Sequence, residues 1–282
     1  MPGYSRRIGV GDAVFTVFEA GKLTMKVSEI VREGTELPPG VDWDSQADLP
    51  VYSAHISLGG ASVVLDPCDY EALCPPGQPW RPRGGYVPPP PLLSQLSEAG
   101  VRAEEVTHVI ITHSHLDHCI GSTARGEGGS YAPAFPRARY YLGAGDWNSD
   151  ETRSDLQGVP DVMNSLGVLG AAGVLTLIDR QTEVTPGVTI VPAPGESPGH
   201  QVVRVSPGGA GPSLYCIGDL FHEPMDVADP RIMAAWNDPE TNLRSRARFL
   251  AEASTEDALV FAGHMSLGRI RRTPGGYAWE EA

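Results

Sequence analysis

The chain has 282 residues and a formal net charge of −14, with 41% of residues apolar and 20% charged. That balance suits a soluble globular protein with a sizeable core, and so acidic a surface argues against nucleic acid and anionic membranes as partners. No run of about 18 apolar residues marks a membrane span. No apolar segment follows Arg6-Arg7 as in a secretory leader, and four cysteines without CxxC or a disulfide framework point to a reducing cytoplasm.

Residues 8–31 alternate around Gly21-Lys22 and predict an N-terminal hairpin, with Val14, Phe15, Val17 and Phe18 on its first arm. Residues 32–50 are rich in Pro, Gly and Asp and predict irregular structure. A second hairpin is expected from Tyr52 to Leu58 and Ala61 to Asp66, because Gly59-Gly60 supplies the positive φ values of a tight turn. The stretch from Cys74 to Pro91, with its four consecutive prolines, reads as a stiff surface loop. A helix is expected from Leu92 to Ala99, capped at Gly100, before an apolar run from Val106 to Ile111 that reads as a buried strand. Residues 121–137 read as a long loop and Arg139 to Leu142 as a short strand. Two helices are predicted from Asp146 to Leu156 and from Asp161 to Ala172, placed to cap or wall a site. Strands are then expected at Val174–Ile178, Val188–Val191, Gln201–Val205 and Ser213–Ile217. A helix opening at Asn237 or Asp238 should run to about Ala253, ahead of a last core strand, Ala258–Ala262, and a tail carrying Arg269, Arg271 and Arg272. No short-period repeat or linker divides the chain, so one domain over residues 1–282 is expected.

The chemistry is concentrated directly after the buried strand, in Thr112-His113-Ser114-His115-Leu116-Asp117-His118-Cys119. Imidazole and carboxylate groups are the donors that zinc and similar dications prefer. Polar groups crowded at the end of a buried strand are costly unless they share a partner. Three further candidates stand at later strand ends: His200 in ESPGH, Asp219 in CIGD and His264 in FAGH. A glycine precedes each, which lets the backbone turn sharply into a crowded centre.

The HxHxDH spacing, with these three residues in this order, resembles the signature of the metallo-β-lactamase superfamily over most of the chain, from about Asp66 to His264. The resemblance implies an α/β fold, an αββα four-layer sandwich of two mixed sheets flanked by helices. It implies two Zn2+ ions, with Mn, Fe or Co as other divalent candidates. His113, His115 and His200 would hold the first metal, Asp117, His118 and His264 the second, and Asp219 would bridge them. Asp66 matches the early aspartate of the superfamily, which is structural and near the site, although Pro67 follows it where Thr or Ser is common.

Two dications sharing a water lower its pKa to about 7, which supplies a nucleophile at neutral pH. Asp117 or Asp219 can orient it. His222, in Gly218-Asp219-Leu220-Phe221-His222, stands where the acyl-homoserine lactonase branch has a tyrosine, and the GDxxH form resembles the methyl parathion hydrolase-like branch. There it would donate a hydrogen bond or shuttle a proton, the alternative being a packed loop histidine. His108 reads as a structural histidine, and His55 as one that could face either side. Trp43, Trp80, Tyr86 and Trp147 would suit an apolar ligand pocket or anchor the long loops. The function implied is zinc-dependent hydrolysis of a small ester-like molecule, a lactone or aryl ester first. A phosphotriester is the alternative substrate, and a non-hydrolytic di-metal redox or regulatory protein is the alternative of another class. A homodimer is compatible with these readings.

Overall fold

The computed structural model describes residues 4–206, 208 and 212–282; Met1–Gly3, the start of the stretch read for a leader, lie outside them. A first seven-stranded sheet holds β1 (Ser5–Val10), β2 (Ala13–Lys26), β3 (Gln46–Leu58), β4 (Ala61–Leu65) and β5 (His108–Ile110). β6 (Thr123–Arg125) and β7 (Tyr131–Pro133) pair separately, and β8 (Arg139–Gly143) and β9 (Leu175–Ile178) complete the first sheet beyond β5. The second sheet runs in chain order: β10 (Thr182–Thr185), β11 (Val188–Pro192), β12 (Gln201–Val205), β13 (Leu214–Cys216), β14 (Leu259–Ala262), β15 (Ser266–Thr273) and β16 (Gly276–Glu281). Both sheets are mixed. β4, β5, β8 and β9 are mutually parallel, as are β13 and β14, and the other pairings are antiparallel.

Side-chain alternation sorts these strands into layers. Phe15, Ile56, Val63, Leu65 and Ile110 of the first sheet meet Ile190, Val203, Val205, Cys216 and Phe261 of the second in the central core. The intervening residues Val64, Val109 and Ile111 face outward, against Leu92, Leu96, Leu166 and Leu169 of the helices on that side. Val202, Tyr215 and Val260 face the other way, against Phe249, Leu250 and Ala253 of the Pro239–Glu256 helix. Inner strands buried on both faces explain the unbroken apolar runs at 63–65 and 109–111. Each large side chain so buried contributes about 1.5–3 kcal/mol. The result is the expected four-layer αββα sandwich.

Several local expectations change. Gly21-Lys22 is not a turn: the first hairpin turns at Gly11, and β2 continues through Gly21 with a bulge between Glu19 and Gly21. A glycine is needed there because the Tyr70 ring lies across it, and a Cβ would come within 2.1 Å of that ring. Residues 46–50 belong to β3, not to an irregular stretch, and the loop at 121–137 contains the β6–β7 hairpin. β10 was not anticipated, and Ala262 does not end the core, because β15 and β16 extend the second sheet. The tail arginines are partnered: Arg271 with Glu280 and Asp257, Arg269 with Asp257. Gly59-Gly60, the helix before Gly100 and the Asp238 cap are as read, with Asp238 Oδ1 accepting from Thr241 N at 2.8 Å. His55 is buried on the outer face of its sheet, opposite Val64 and 2.8 Å from Ser62 Oγ, and burial pushes its pKa to about 4. His108 stacks on Tyr141. No helix among the described residues is long and apolar enough to cross a membrane.

Candidate metal centre

Strand ends at one edge of the sandwich deliver every predicted site residue. β4 ends in Asp66, β5 in Thr112 and His113, β13 in Asp219 and β14 in His264, while the β11–β12 connection carries Glu196 and His200. A single helical turn, Leu116–Cys119, presents Asp117 and His118. The glycines before the late residues act in two ways. Gly218 has φ +51°, the left-handed conformation expected of a sharp turn. Gly199 and Gly263 are instead required for room, since a Cβ on Gly199 would lie 2.3 Å from Asp146 N and one on Gly263 2.6 Å from Asp219 Oδ1.

The donor atoms converge in two groups that share Asp219. One is His113, His115, Glu196 and Asp219; the other is Asp117, His118, Asp219 and His264. Two donors on one tetrahedral dication with bonds of about 2.1 Å sit about 3.4 Å apart. In the second group His118 Nε2 lies 3.4 Å from Asp117 Oδ2 and 3.2 Å from Asp219 Oδ1. His264 Nε2 lies 3.4 Å from Asp117 Oδ2 and 3.1 Å from Asp219 Oδ2. In the first group His113 Nε2 is 3.0 Å from His115 Nδ1, 3.5 Å from Glu196 Oε2 and 3.7 Å from Asp219 Oδ2. His118 Nε2, Glu196 Oε2, Asp219 Oδ1 and His222 Nε2 are buried there with no hydrogen-bond partner among the described residues. Spacing and orphaned donors together fit a pair of dications.

The far nitrogens of His113, His118 and His264 are held: Thr112 Oγ1 lies 3.1 Å from His113 Nδ1, Asp66 Oδ2 3.0 Å from His118 Nδ1 and Pro50 O 2.7 Å from His264 Nδ1. Such contacts fix the tautomer that turns Nε2 toward a metal. Burial holds His113 well below the ordinary imidazole pKa, helped by His118 and His115, and burial brings His200 to about 3. Neutral rings are the ligating form. Burial alone would raise the Asp117 carboxyl, but His118 outweighs it and brings it to about 2. Asp219 is likewise held ionised against its burial by His118 and His264.

The sequence profile of the metallo-beta-lactamase superfamily matches residues 84–264, more than half of the chain. The chain belongs to that superfamily. It is similar to N-acyl homoserine lactonases of Bacillus sp and Bacillus cereus, each 25% identical over 173 residues. The aligned part is 61% of this chain and 61% of those relatives' length. Among solved structures it is similar to the hydrolase AbOPH in the beta lactamase superfamily, at 17% identity and a TM-score of 0.78, covering 100% of this chain and 98% of that one. It is also similar to AidC, a dizinc quorum-quenching lactonase, at 19% identity and 0.72, covering 99% and 98%. These structural likenesses show a shared fold.

Within this member of the metallo-beta-lactamase superfamily, Asp66 is the organiser of the centre. It accepts from Thr112 N at 2.7 Å, Thr112 Oγ1 at 2.8 Å and His118 Nδ1, and it adopts φ +45°, a conformation costly for a side-chain-bearing residue. Asp66→Asn should weaken binding at the His118 position by about 10–100-fold, since the amide presents a donor to a ring that donates. Metal competition titration reads this directly, and unchanged affinity would reduce Asp66 to a packing role.

His200 was expected beside His113 and His115. It is instead fully buried at the base of the centre, its ring 5.3 Å from that of His113, with Nε2 accepting from Asp219 N at 3.2 Å and Nδ1 against Ala193 O, so neither nitrogen is open to the donor groups. The convergent first group contains Glu196 instead, which was named only as part of the ESPGH stretch. Asp146, read only as a helix start, ties two loops together: it accepts from Ser114 N at 2.9 Å and Gly199 N at 2.5 Å. His222 is buried, stacked on His264, with Nε2 3.4 Å from Asp219 Oδ2. Burial opposes its charge, but Asp219 and Asp226 lift its pKa to about 10.

A cavity of about 490 Å³ opens over these groups. Leu23, Met25 and Leu49 form one wall, and Val159, Val162 and Leu166 of the interposed helices form the other. Trp236 stands at its mouth, edge-on to His115 and His222 at 5.8 and 6.0 Å. Trp43, Trp80, Tyr86 and Trp147 are packing anchors in surrounding clusters and do not line it.

Proposed function

We propose that the chain is a binuclear metal-dependent hydrolase acting on a small, largely apolar lactone or aryl ester. The observation that carries this reading is the pair of donor groups sharing Asp219 on the floor of an apolar-walled cavity. His113 and His115 would hold the first dication and Asp117, His118 and His264 the second, with Asp219 common to both; His200, whose Nε2 accepts from Asp219 N, stays outside the set. Zn2+ suits these donors, and Mn2+, Fe2+ or Co2+ would be accepted by the same set. Bound there, the pair supplies Lewis acidity and a water acidified to a pKa of about 7.

The remaining work falls to side chains of the protein. Asp117, with one carboxylate face toward the cavity, is placed to orient the attacking water and accept its proton. His222, reaching the same cavity with an unpartnered Nε2, is placed to donate a proton to the departing oxygen. The leucine and valine walls accept an acyl or aryl group and exclude bulk water, which strengthens every charge interaction on the floor. A lactone also fits the names of the relatives, which are acyl-homoserine lactonases.

The test is a hydrolysis panel with the Zn-, Mn- and Co-loaded protein: acylated γ-lactones, aryl esters, thioesters and phosphotriesters. Lactones or aryl esters should be turned over fastest, with two metals per chain by mass spectrometry. Preference for phosphotriesters would move the substrate class, and two redox-active irons without hydrolysis would overturn the reading.

A further inference from the structure

Glu196 is the one carboxylate at the centre that the HxHxDH pattern and its late partners leave without a task. It is 2% exposed, a costly place for a carboxylate that has no cationic or hydrogen-bonding partner for each oxygen. Trp236 Nε1 donates to its Oε1 at 2.8 Å. Its Oε2 has no hydrogen-bond partner among the described residues. The two oxygens lie 3.5 Å from His113 Nε2 and 3.2 Å from His115 Nδ1, the separation expected of donors around one dication. Neither nitrogen is needed as a lone partner, because both already face a shared point with Asp219.

We propose that Glu196 is a direct ligand of the first metal, completing a set with His113, His115 and Asp219. This rests on the binuclear reading above. The first position then has two imidazoles and two carboxylates, as the second has, a setting that favours Mn2+, Fe2+ or Co2+ relative to an imidazole-only site. The Trp236 indole fixes the carboxylate's orientation, the task that a partner outside the ligand set performs at metal sites generally.

Wild-type, Glu196→Gln and Trp236→Phe proteins are to be stripped and titrated with Co2+ and Zn2+ against a chromophoric chelator, and their Co2+ absorption recorded. Wild type should take two equivalents, each with its own Co2+ absorption. Glu196→Gln keeps the side-chain shape and the Trp236 contact. It should lose at least about tenfold in affinity for one equivalent only, change the Co2+ absorption of that equivalent and leave the other's as it is. Trp236→Phe should lose less. Unchanged affinity and spectrum in Glu196→Gln would overturn this inference and leave the binuclear reading intact. Failure of wild type to take two equivalents would overturn the binuclear reading itself. Should Glu196→Gln not fold, a crystal structure of the metal-loaded wild type decides: a Glu196 oxygen within about 2.2 Å of the metal supports the assignment, and one held only by Trp236 refutes it.

Discussion

Replacing Asp219 with alanine is expected to reduce turnover of the best ester substrate by at least about 10³-fold, the upper end of what loss of one charge-stabilising group costs. Its carboxylate belongs to both donor groups, 3.2 Å from His118 through one oxygen and 3.1 Å from His264 through the other. On the binuclear reading its removal takes a donor from both groups at once and leaves His118 and His264, whose charge it favours, without their main counter-charge. Metal content should fall from two per chain toward one or none. Asp219→Asn provides the control for shape, since it preserves volume and loses only the anion; it should fall nearly as far. Near-wild-type turnover with two bound metals in either variant would show that Asp219 is not the bridge.

How much of this centre could be read in the sequence depended on how local each signal was. His113, His115, Asp117 and His118 lie within six positions after an apolar strand, so the pattern is self-announcing. His200, Asp219 and His264 were found because each sits at a strand boundary behind a glycine. Structure changes the reason at two of them: Gly199 and Gly263 give clearance to Asp146 and Asp219, and only Gly218 takes the left-handed turn. Glu196, Asp146 and Trp236 gave no comparable signal. Their roles arise from contacts distant in sequence, such as Asp146 with Ser114 and Glu196 with His115, which no short-range pattern encodes. A surplus acid beside PGH was the available hint for Glu196.

The fold was legible where periodicity was clean. The two-sided apolar runs of β4 and β5 and the glycine pair after β3 fixed the inner first sheet. Misreadings fell toward the two edges of the second sheet. β10, Thr182–Thr185, and β15–β16 with their Arg and Glu residues carry few apolar side chains, because edges of a sandwich bury little. Gly21 misled for the opposite reason, since a glycine inside a strand can mark a bulge under an aromatic ring as readily as a turn.

His222→Gln should lower kcat by about 10²-fold or more, the contribution typical of a positioned proton donor, while leaving two metals bound. The imidazole is buried, and its backbone N–H donates to Asp226 Oδ2 at 3.0 Å, which fixes the loop that aims it. Its Nε2 is free of any hydrogen bond among the described residues and reaches the cavity beside Asp219. A charge favoured by Asp219 and Asp226 against burial keeps a proton available to leave. The leaving group separates proton donation from packing. An alkyl lactone or alkyl ester expels a basic alkoxide and needs the proton, whereas a nitrophenyl ester expels a stable phenolate and does not. The loss in His222→Gln should therefore be large for the alkyl substrates and small for the nitrophenyl ester. An equal loss on both series would assign His222 to positioning Asp219 and His264, and an unchanged rate on both would make it a packed histidine stacked on His264.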